Sequence, residues 1–311
     1  MHAIARFVCL ASCVAAAWLS GCGAGEEPGS QQADLKSCTG AKLDAKGVCR
    51  KGGAFAAAKC CKPQAPVKRR DLGAYTCPAD GERIKVAFLD ADSTLRVSRS
   101  GSVSANGADD VNVLPFVAAG VARLQAEGYL TAIVSNQGGI EQGHITYEIA
   151  EGALAFTASQ LGALGGRIDY FDFAEAKGKD RKPEAGMALR LDELLQDKCG
   201  RPLDVEGSIM VGDSGYKKGV DGPHPDGRPA DDFSNADRGF AENLGVPFHE
   251  PTDFFGWKAW EVYNIATEAE LVSFLDAIEE EAARLEESGE DEELAESLAK
   301  EARDNRKVNG L

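Results

Sequence analysis

Apolar residues between positions 84 and 249 fall into short runs, separated by longer stretches in which they recur every three or four positions. Five runs, at 84–90, 129–135, 168–173, 207–212 and 246–249, are rich in β-branched and aromatic residues and predict buried strands. Between them, Leu114–Glu127 sets Val117, Val121 and Leu124 on one helical face, and Gly128 stops the helix. Pro183–Lys198 repeats the pattern with Met187, Leu191, Leu194 and Leu195, and Pro183 suits the first helical position. This alternation predicts the α/β class: a parallel sheet with helices on both faces. Leu95–Val113 carries Gly101 and Gly107 and no long apolar stripe, so it reads as loop. The segment holds one such domain, with no room for a large separate cap.

The predicted strands end on chemistry. The first finishes on Asp90 and Asp92, spaced i, i+2, followed by Ser93 and Thr94. Buried strands seldom end on paired carboxylates by chance, because an unpaired buried charge is costly. Open α/β sheets also place their ligands at the carboxyl ends of strands. The second strand exits through Ser135, Asn136 and the glycines Gly138 and Gly139. Lys182 stands at a helix entrance, and the fourth strand ends on Gly212-Asp213. Taken singly, each has an ordinary reading: a turn-capping pair, a strand-end cap, a solvent lysine before proline, a turn. The four histidines show no metal-binding or triad arrangement.

In this order the four segments resemble the signature of the haloacid dehalogenase (HAD) phosphotransferase superfamily. Thr94-Leu95, Arg99-Ser100-Gly101, the run Asp231–Gly245, Pro247-Phe248 and Pro251–Phe255 look like its polynucleotide 3'-phosphatase branch, across residues 82–257. No Gly-x-x-x-x-Gly-Lys-[Ser/Thr] loop is present, so nothing resembles a kinase half. The resemblance implies a HAD-like Rossmannoid sheet in which Leu95–Val113 forms a small flap over the site. It implies Asp90 as nucleophile, forming an aspartyl-phosphate, and Asp92 as general acid and base. Ser135, the following backbone N–H groups starting with Asn136, and Lys182 would hold the phosphoryl oxygens. Arg99 would meet substrate. Mg2+ would be held by Asp90, the Asp92 carbonyl and Asp213, with Asp232 as a supporting or alternative ligand. Asp237 is assigned to the helix start or to an ion pair with Arg238. Ser93 replaces a glycine common at its position. The expected function is Mg2+-dependent phosphomonoester hydrolysis on 3'-phosphate ends or 3'-nucleotides. Ser135–Ile140 and Lys182–Met187 are also similar to heptose-bisphosphate and histidinol-phosphate phosphatases, although their zinc-binding cysteine loop is missing. A small-molecule phosphatase is therefore the alternative. A non-catalytic surface protein is the third reading, and the intact motif set argues against it.

Charge changes the substrate picture. The formal net charge is −16, with about −10 in the tail, about −12 in the phosphatase-like region and about +6 in the N-terminal part. Such a surface repels polyanions. Arg96, Arg99, Lys177, Lys179, Arg181 and Lys182 are scattered candidates for lining the entry of one phosphate, not a duplex groove.

The ends read as separate segments: 1–21, 22–77 and 267–311 around a phosphatase domain at 78–266. Arg6, the apolar run Phe7–Leu19 and Leu19-Ser20-Gly21-Cys22 resemble a bacterial lipoprotein signal, cut before Cys22 and lipidated there. An ordinary secretory signal or an uncleaved anchor are the alternatives. Gly23 lacks the inner-membrane retention residue, so the expectation is an exported protein anchored in the outer membrane. Gly23–Gln32 reads as a tether, and the basic, cysteine-bearing part follows, with Lys68-Arg69-Arg70 read as a solvated face. Cys38, Cys49, Cys60, Cys61, Cys77 and Cys199 make an even count and read as disulfides rather than a metal site. If all are oxidised within one chain, parity requires a partner for Cys199. Cys77, at the domain entrance, is the choice, and a free or intermolecular Cys199 is the alternative. Thr267 and Glu270 fit a capping box, and Leu271, Phe274, Leu275 and Ile278 share a helical face. The tail thus reads as one docked helix followed by a solvated acidic helix or frayed end. No protein partner is evident.

Overall fold

The computed structural model describes residues 67–79, 81 and 83–311, with short strands at 42–43, 49–51 and 54–55. The chain divides into two units, residues 1–66 and 67–311. In the first, β1 (Lys42–Leu43), β2 (Cys49–Lys51) and β3 (Ala54–Phe55) pair antiparallel in the order β1-β2-β3. The signal segment, Cys22, the tether, Cys38, Cys60 and Cys61 lie outside the described residues. Among the described residues, no helix is long and apolar enough to cross a membrane.

The second unit opens with β4 (Lys85–Leu89), then β5 (Arg96–Ser98) and β6 (Val111–Val113). There follow α1 (Val117–Ala126), β7 (Tyr129–Asn136), α2 (Tyr147–Ala163), β8 (Tyr170–Ala174) and α3 (Gly186–Cys199). β9 (Ile209–Val211), α4 (Ala236–Leu244), β10 (Phe248–His249), α5 (Pro251–Phe254), α6 (Glu268–Ser288) and α7 (Glu292–Asn309) complete it. Five strands form one sheet in the order β10-β9-β4-β7-β8, every neighbouring pair parallel. Each predicted strand is present, with ends shifted by no more than two residues. Side-chain alternation sends Val86 and Phe88 of β4, with Leu130, Ala132 and Val134 of β7, into one core. There they meet Met187, Leu191 and Leu195 of α3 and Phe240 of α4, and Phe88 packs edge-on to Phe240 at 5.5 Å. α1 packs on β7 outside that cluster, with Val117 and Val121 fully buried. The chain runs from central β4 out to β7 and β8, then returns to β9 and β10 on the other side. That reversal opens a crevice at the carboxyl end of β4.

Several expectations change. The helix expected from Pro183 begins at Gly186, and Pro183 lies in the preceding turn after a cis peptide. Side chains hold that turn: Asn136 bonds both backbone groups of Lys182, and Asn243 donates to the Pro183 carbonyl. The expected loop at 95–113 contains the antiparallel pair β5 and β6, with Leu95, Val97, Val111 and Val113 buried. α2 has no counterpart in the sequence reading. The boundary expected at 77 falls after Pro66. Arg69 of the basic run is not solvated: it donates to Asp172, Glu175 and the Phe173 carbonyl, 3.8 Å above the Phe173 ring. Three arginines, Arg69, Arg70 and Arg190, meet the fully buried Asp172 carboxylate, which offsets its desolvation.

The tail also differs. The Thr267–Glu270 capping box forms as expected. The last helix, α7, docks rather than frays. Leu294, Leu298 and Ala302 are buried, and Asn309 pairs with both the N–H and the carbonyl of Val113 on β6. Glu301 accepts from the Phe116 N–H. Polar side chains thus satisfy edge-strand groups that would otherwise need water. Cys77 and Cys199 form a disulfide, with a Cα–Cα distance of 5.6 Å.

Candidate active site

Four strand-end or loop segments converge on the crevice. Asp90 follows β4 directly, and its N–H donates to the Val211 carbonyl at 2.9 Å. The turn after it passes through Ser93 at φ 59°, in the left-handed region that glycine occupies without steric cost. Asp92 leaves that turn and is held from two directions. Arg96 Nε donates to its Oδ1 at 2.9 Å, and Gln137 Nε2 donates to its Oδ2 at 3.0 Å. Gln137 also donates to Ser135 Oγ at 2.8 Å, which leaves the serine proton free for another acceptor.

Lys182 is 3% exposed. Its N–H donates to Asn136 Oδ1 at 2.9 Å, and Asn136 Nδ2 donates to its carbonyl at 3.0 Å. The ammonium lies 2.5 Å from Asp90 Oδ1 and 2.6 Å from Asp237 Oδ1. Asp237 sits in the first turn of α4, and its Oδ2 accepts from the Ser214 N–H at 3.0 Å. A Cβ at Gly212 would run into the Asp237 carboxylate, which explains the glycine before Asp213. The Asp213 N–H donates to Thr94 Oγ1 at 3.1 Å.

Carboxylate oxygens of Asp90, Asp213 and Asp237 lie within 4.8 Å of one another. Burial pushes Asp90 up to about 7; Lys182 opposes the shift, and Asp237 and Asp92 add to it. Asp213 is raised well above the usual carboxylate range, by burial first and then by Asp90 and Asp237. Burial alone would lower Lys182, but Asp237 and Asp90 together hold it above its ordinary value. Three carboxylates against one ammonium leave surplus negative charge in a buried site. Such a hard oxygen donor set fits Mg2+.

The structure brings together Asp90, Asp92, Ser135, Lys182 and Asp213. It moves other residues elsewhere. Asp232 does not join the carboxylate cluster: its Oδ2 accepts from the Gly215 and Tyr216 N–H groups at 2.9 and 2.6 Å. Arg99 is tied to Asn112 Oδ1 and to the Asn309 carbonyl, so its guanidinium serves the α7 contact rather than substrate. The Asn136 side chain positions Lys182 rather than facing a phosphate. Asp237 pairs with Lys182, while Arg238 bonds Asp221 and Glu242. Arg96 is fully buried against Asp92, and Lys177 and Lys179 are exposed. Arg181 lies close to Gly138, and its NH1 is buried without a partner.

Sequence reasoning missed Gln137 and the burial of Arg96 against Asp92; it placed Asp237 at the helix start, where it lies, but not in its pair with Lys182. One signal was available for Asp237: an acid in the first turn of the helix that follows the Gly212-Asp213 strand end.

The family model for polynucleotide kinase 3 phosphatase matches residues 85–255, more than half of the 311-residue chain. The chain belongs to that family. It is a phosphatase of the HAD type, and the reading as a non-catalytic surface protein falls. An uncharacterized 20.8 kDa protein of Autographa californica nuclear polyhedrosis virus is 28% identical over 60% of this chain and 94% of its own length. A D-glycero-beta-D-manno-heptose-1,7-bisphosphate 7-phosphatase of Rhodopseudomonas palustris is 26% identical over 44% of this chain and 77% of its own. A bifunctional polynucleotide phosphatase/kinase of Schizosaccharomyces pombe is 33% identical over 55% of this chain and 37% of its own.

Proposed function

We propose that the chain hydrolyses 3'-phosphate ends or 3'-nucleotides through an aspartyl-phosphate on Asp90. The observation that carries the chemistry is the buried Asp90–Lys182 contact at 2.5 Å, beside an Asp92 fixed by two donors. A carboxylate held this way is oriented for attack, and the ammonium offsets charge as the phosphoryl group approaches.

In the first step an Asp90 oxygen bonds to phosphorus and the ester P–O bond breaks. The leaving alkoxide takes a proton from Asp92. In the second step Asp92 takes a proton from water, whose oxygen bonds to phosphorus as the aspartyl P–O bond breaks. Inorganic phosphate leaves and both carboxyl groups are restored. Ser135 donates its free hydroxyl proton to a phosphoryl oxygen, and Gln137 couples that hydroxyl to Asp92. Asn136 acts indirectly, by fixing Lys182. Asp90, the Asp92 carbonyl and Asp213 would hold Mg2+, which would supply compensation for phosphoryl charge.

The family description and the fission-yeast relative favour a 3'-phosphate substrate. The acidic surface favours short single-stranded ends or mononucleotides over long duplex. The heptose-bisphosphate relative supports the second reading, a sugar phosphate. Phosphate release from 3'-phosphorylated oligonucleotides, 3'-nucleotides and heptose bisphosphate, each with Mg2+, separates the two. Faster turnover of the sugar bisphosphate would overturn the first. The resemblance of residues 1–22 to a lipoprotein signal supports an envelope-anchored protein held through Cys22. Cys22→Ala should then release it from the membrane fraction or block its processing, and unchanged membrane retention would contradict that.

A further inference from the structure

Segment 212–235, between β9 and α4, carries no helix or strand of its own. Loops longer than about 12–15 residues are uncommon inside compact domains unless something holds them. At its centre lies His224, 2% exposed, with its ring 4.5 Å from that of Tyr216. Nδ1 lies 2.6 Å from Glu250 Oε1. Arg228 is farther from Nδ1, at 3.3 Å, and also bonds Glu250. The shorter contact sets the tautomer: Nδ1–H donates to Glu250, and Nε2 is left with its lone pair.

Nε2 is buried and has no hydrogen-bond partner. It points at two carboxylates, with Asp231 Oδ1 at 3.4 Å and Asp232 Oδ1 at 3.9 Å. Both distances exceed a sound N–H···O bond. They suit something else. Bonds of about 2.0–2.1 Å to a tetrahedral zinc put neighbouring ligand atoms about 3.4 Å apart. The three ligand atoms lie within 4.8 Å of one another. Asp232 is held rigid by the Gly215 and Tyr216 N–H groups on its other oxygen. Asp231 is 71% exposed, which gives an ion an entry path. Asp231, Asp232 and Glu250 together outweigh Arg228 in charge.

We propose that His224 Nε2, Asp231 and Asp232 form a second metal site, separate from the Asp90 cluster, for a divalent zinc-type cation. An imidazole donor selects this class over Mg2+. Glu250 is its positioning residue, in the carboxylate–histidine–metal arrangement that fixes ring orientation and basicity. Through Asp232 and Gly215 the ion would staple the loop that leads from Asp213 to α4.

The test is calorimetric titration of Zn2+ into the chelator-treated, oxidised full chain, with Mg2+ in excess. Wild type and Asp90→Asn should bind Zn2+ alike. Asp231→Asn, a change at an exposed position that leaves the core untouched, and His224→Gln should each weaken one equivalent by at least ~100-fold. Glu250→Gln should weaken it by about 10–100-fold. Thermal unfolding should rise with Zn2+ in wild type and not in Asp231→Asn. No zinc binding by wild type, or the same titration in wild type and Asp231→Asn, would overturn the proposal. So would loss of the equivalent in Asp90→Asn alone.

Discussion

Asn136→Ala isolates the device that sets Lys182 in the site. The asparagine makes two hydrogen bonds, at 2.9 and 3.0 Å, to the N–H and carbonyl of one residue. Each is worth about 0.5–1.5 kcal/mol net, so their loss should cost about 1–3 kcal/mol of stability. For a unit of this size that lowers the melting temperature by about 2–4 °C per kcal/mol. The activity loss should be larger. With its backbone released, the Lys182 ammonium no longer sits between Asp90 and Asp237, and a displacement of about 1 Å near reacting groups can cost ~100-fold in rate. The assay pairs urea denaturation with steady-state hydrolysis of a 3'-phosphorylated oligonucleotide. The fall should appear in kcat. A variant with wild-type kcat and wild-type denaturation midpoint, but a raised KM, would refute the argument. It would make the Asn136 side chain a phosphate contact.

Three further outcomes follow from particular residues. Ser93→Gly should stabilise the protein by about 1 kcal/mol, because the left-handed backbone at φ 59° costs serine about 1–2 kcal/mol; a lower denaturation midpoint would contradict it. Reducing Cys77–Cys199, or replacing both with serine, should cost roughly 2–4 kcal/mol, and an alkylatable Cys199 in the unreduced protein would remove the bond from the account. Without metal, burial pushes Asp90 up to about 7 in the folded chain, against about 3.9 when unfolded. The folded state then holds a proton that the unfolded state has lost, so stability should fall as pH rises through that window; urea midpoints that rise from about pH 4 to about pH 7 would contradict the sign.

The five sheet strands were legible because parallel strands are covered on both faces and therefore read as apolar runs. α2 was not, since its buried positions are largely Ala150, Ala153, Thr157, Ala158 and Gln160. These are small or polar residues with little contrast against the exposed face. α7 reads as solvated by composition, yet it buries Leu294, Leu298 and Ala302 and is fixed by Asn305 and Asn309, whose partners lie on β6. Within the site, each strand-end acid, serine and lysine was visible as a residue. Their pairing was not: Asp237 reaches Lys182 and Arg99 reaches the last turn of α7, both contacts between distant parts of the chain. Charge counts suggested free basic residues near the site. The fold spends Arg96 and Arg99 on Asp92 and Asn309 instead.

The central claim is nucleophilic attack by Asp90. It is tested most directly by phosphate release from a 3'-phosphorylated oligonucleotide, with Mg2+, by wild type and by Asp90→Asn. The substitution keeps size and leaves Lys182 its Asp237 partner. The variant should fold, with an unchanged circular dichroism spectrum, and lose at least ~10³-fold in turnover. A folded Asp90→Asn protein with wild-type turnover would contradict the account.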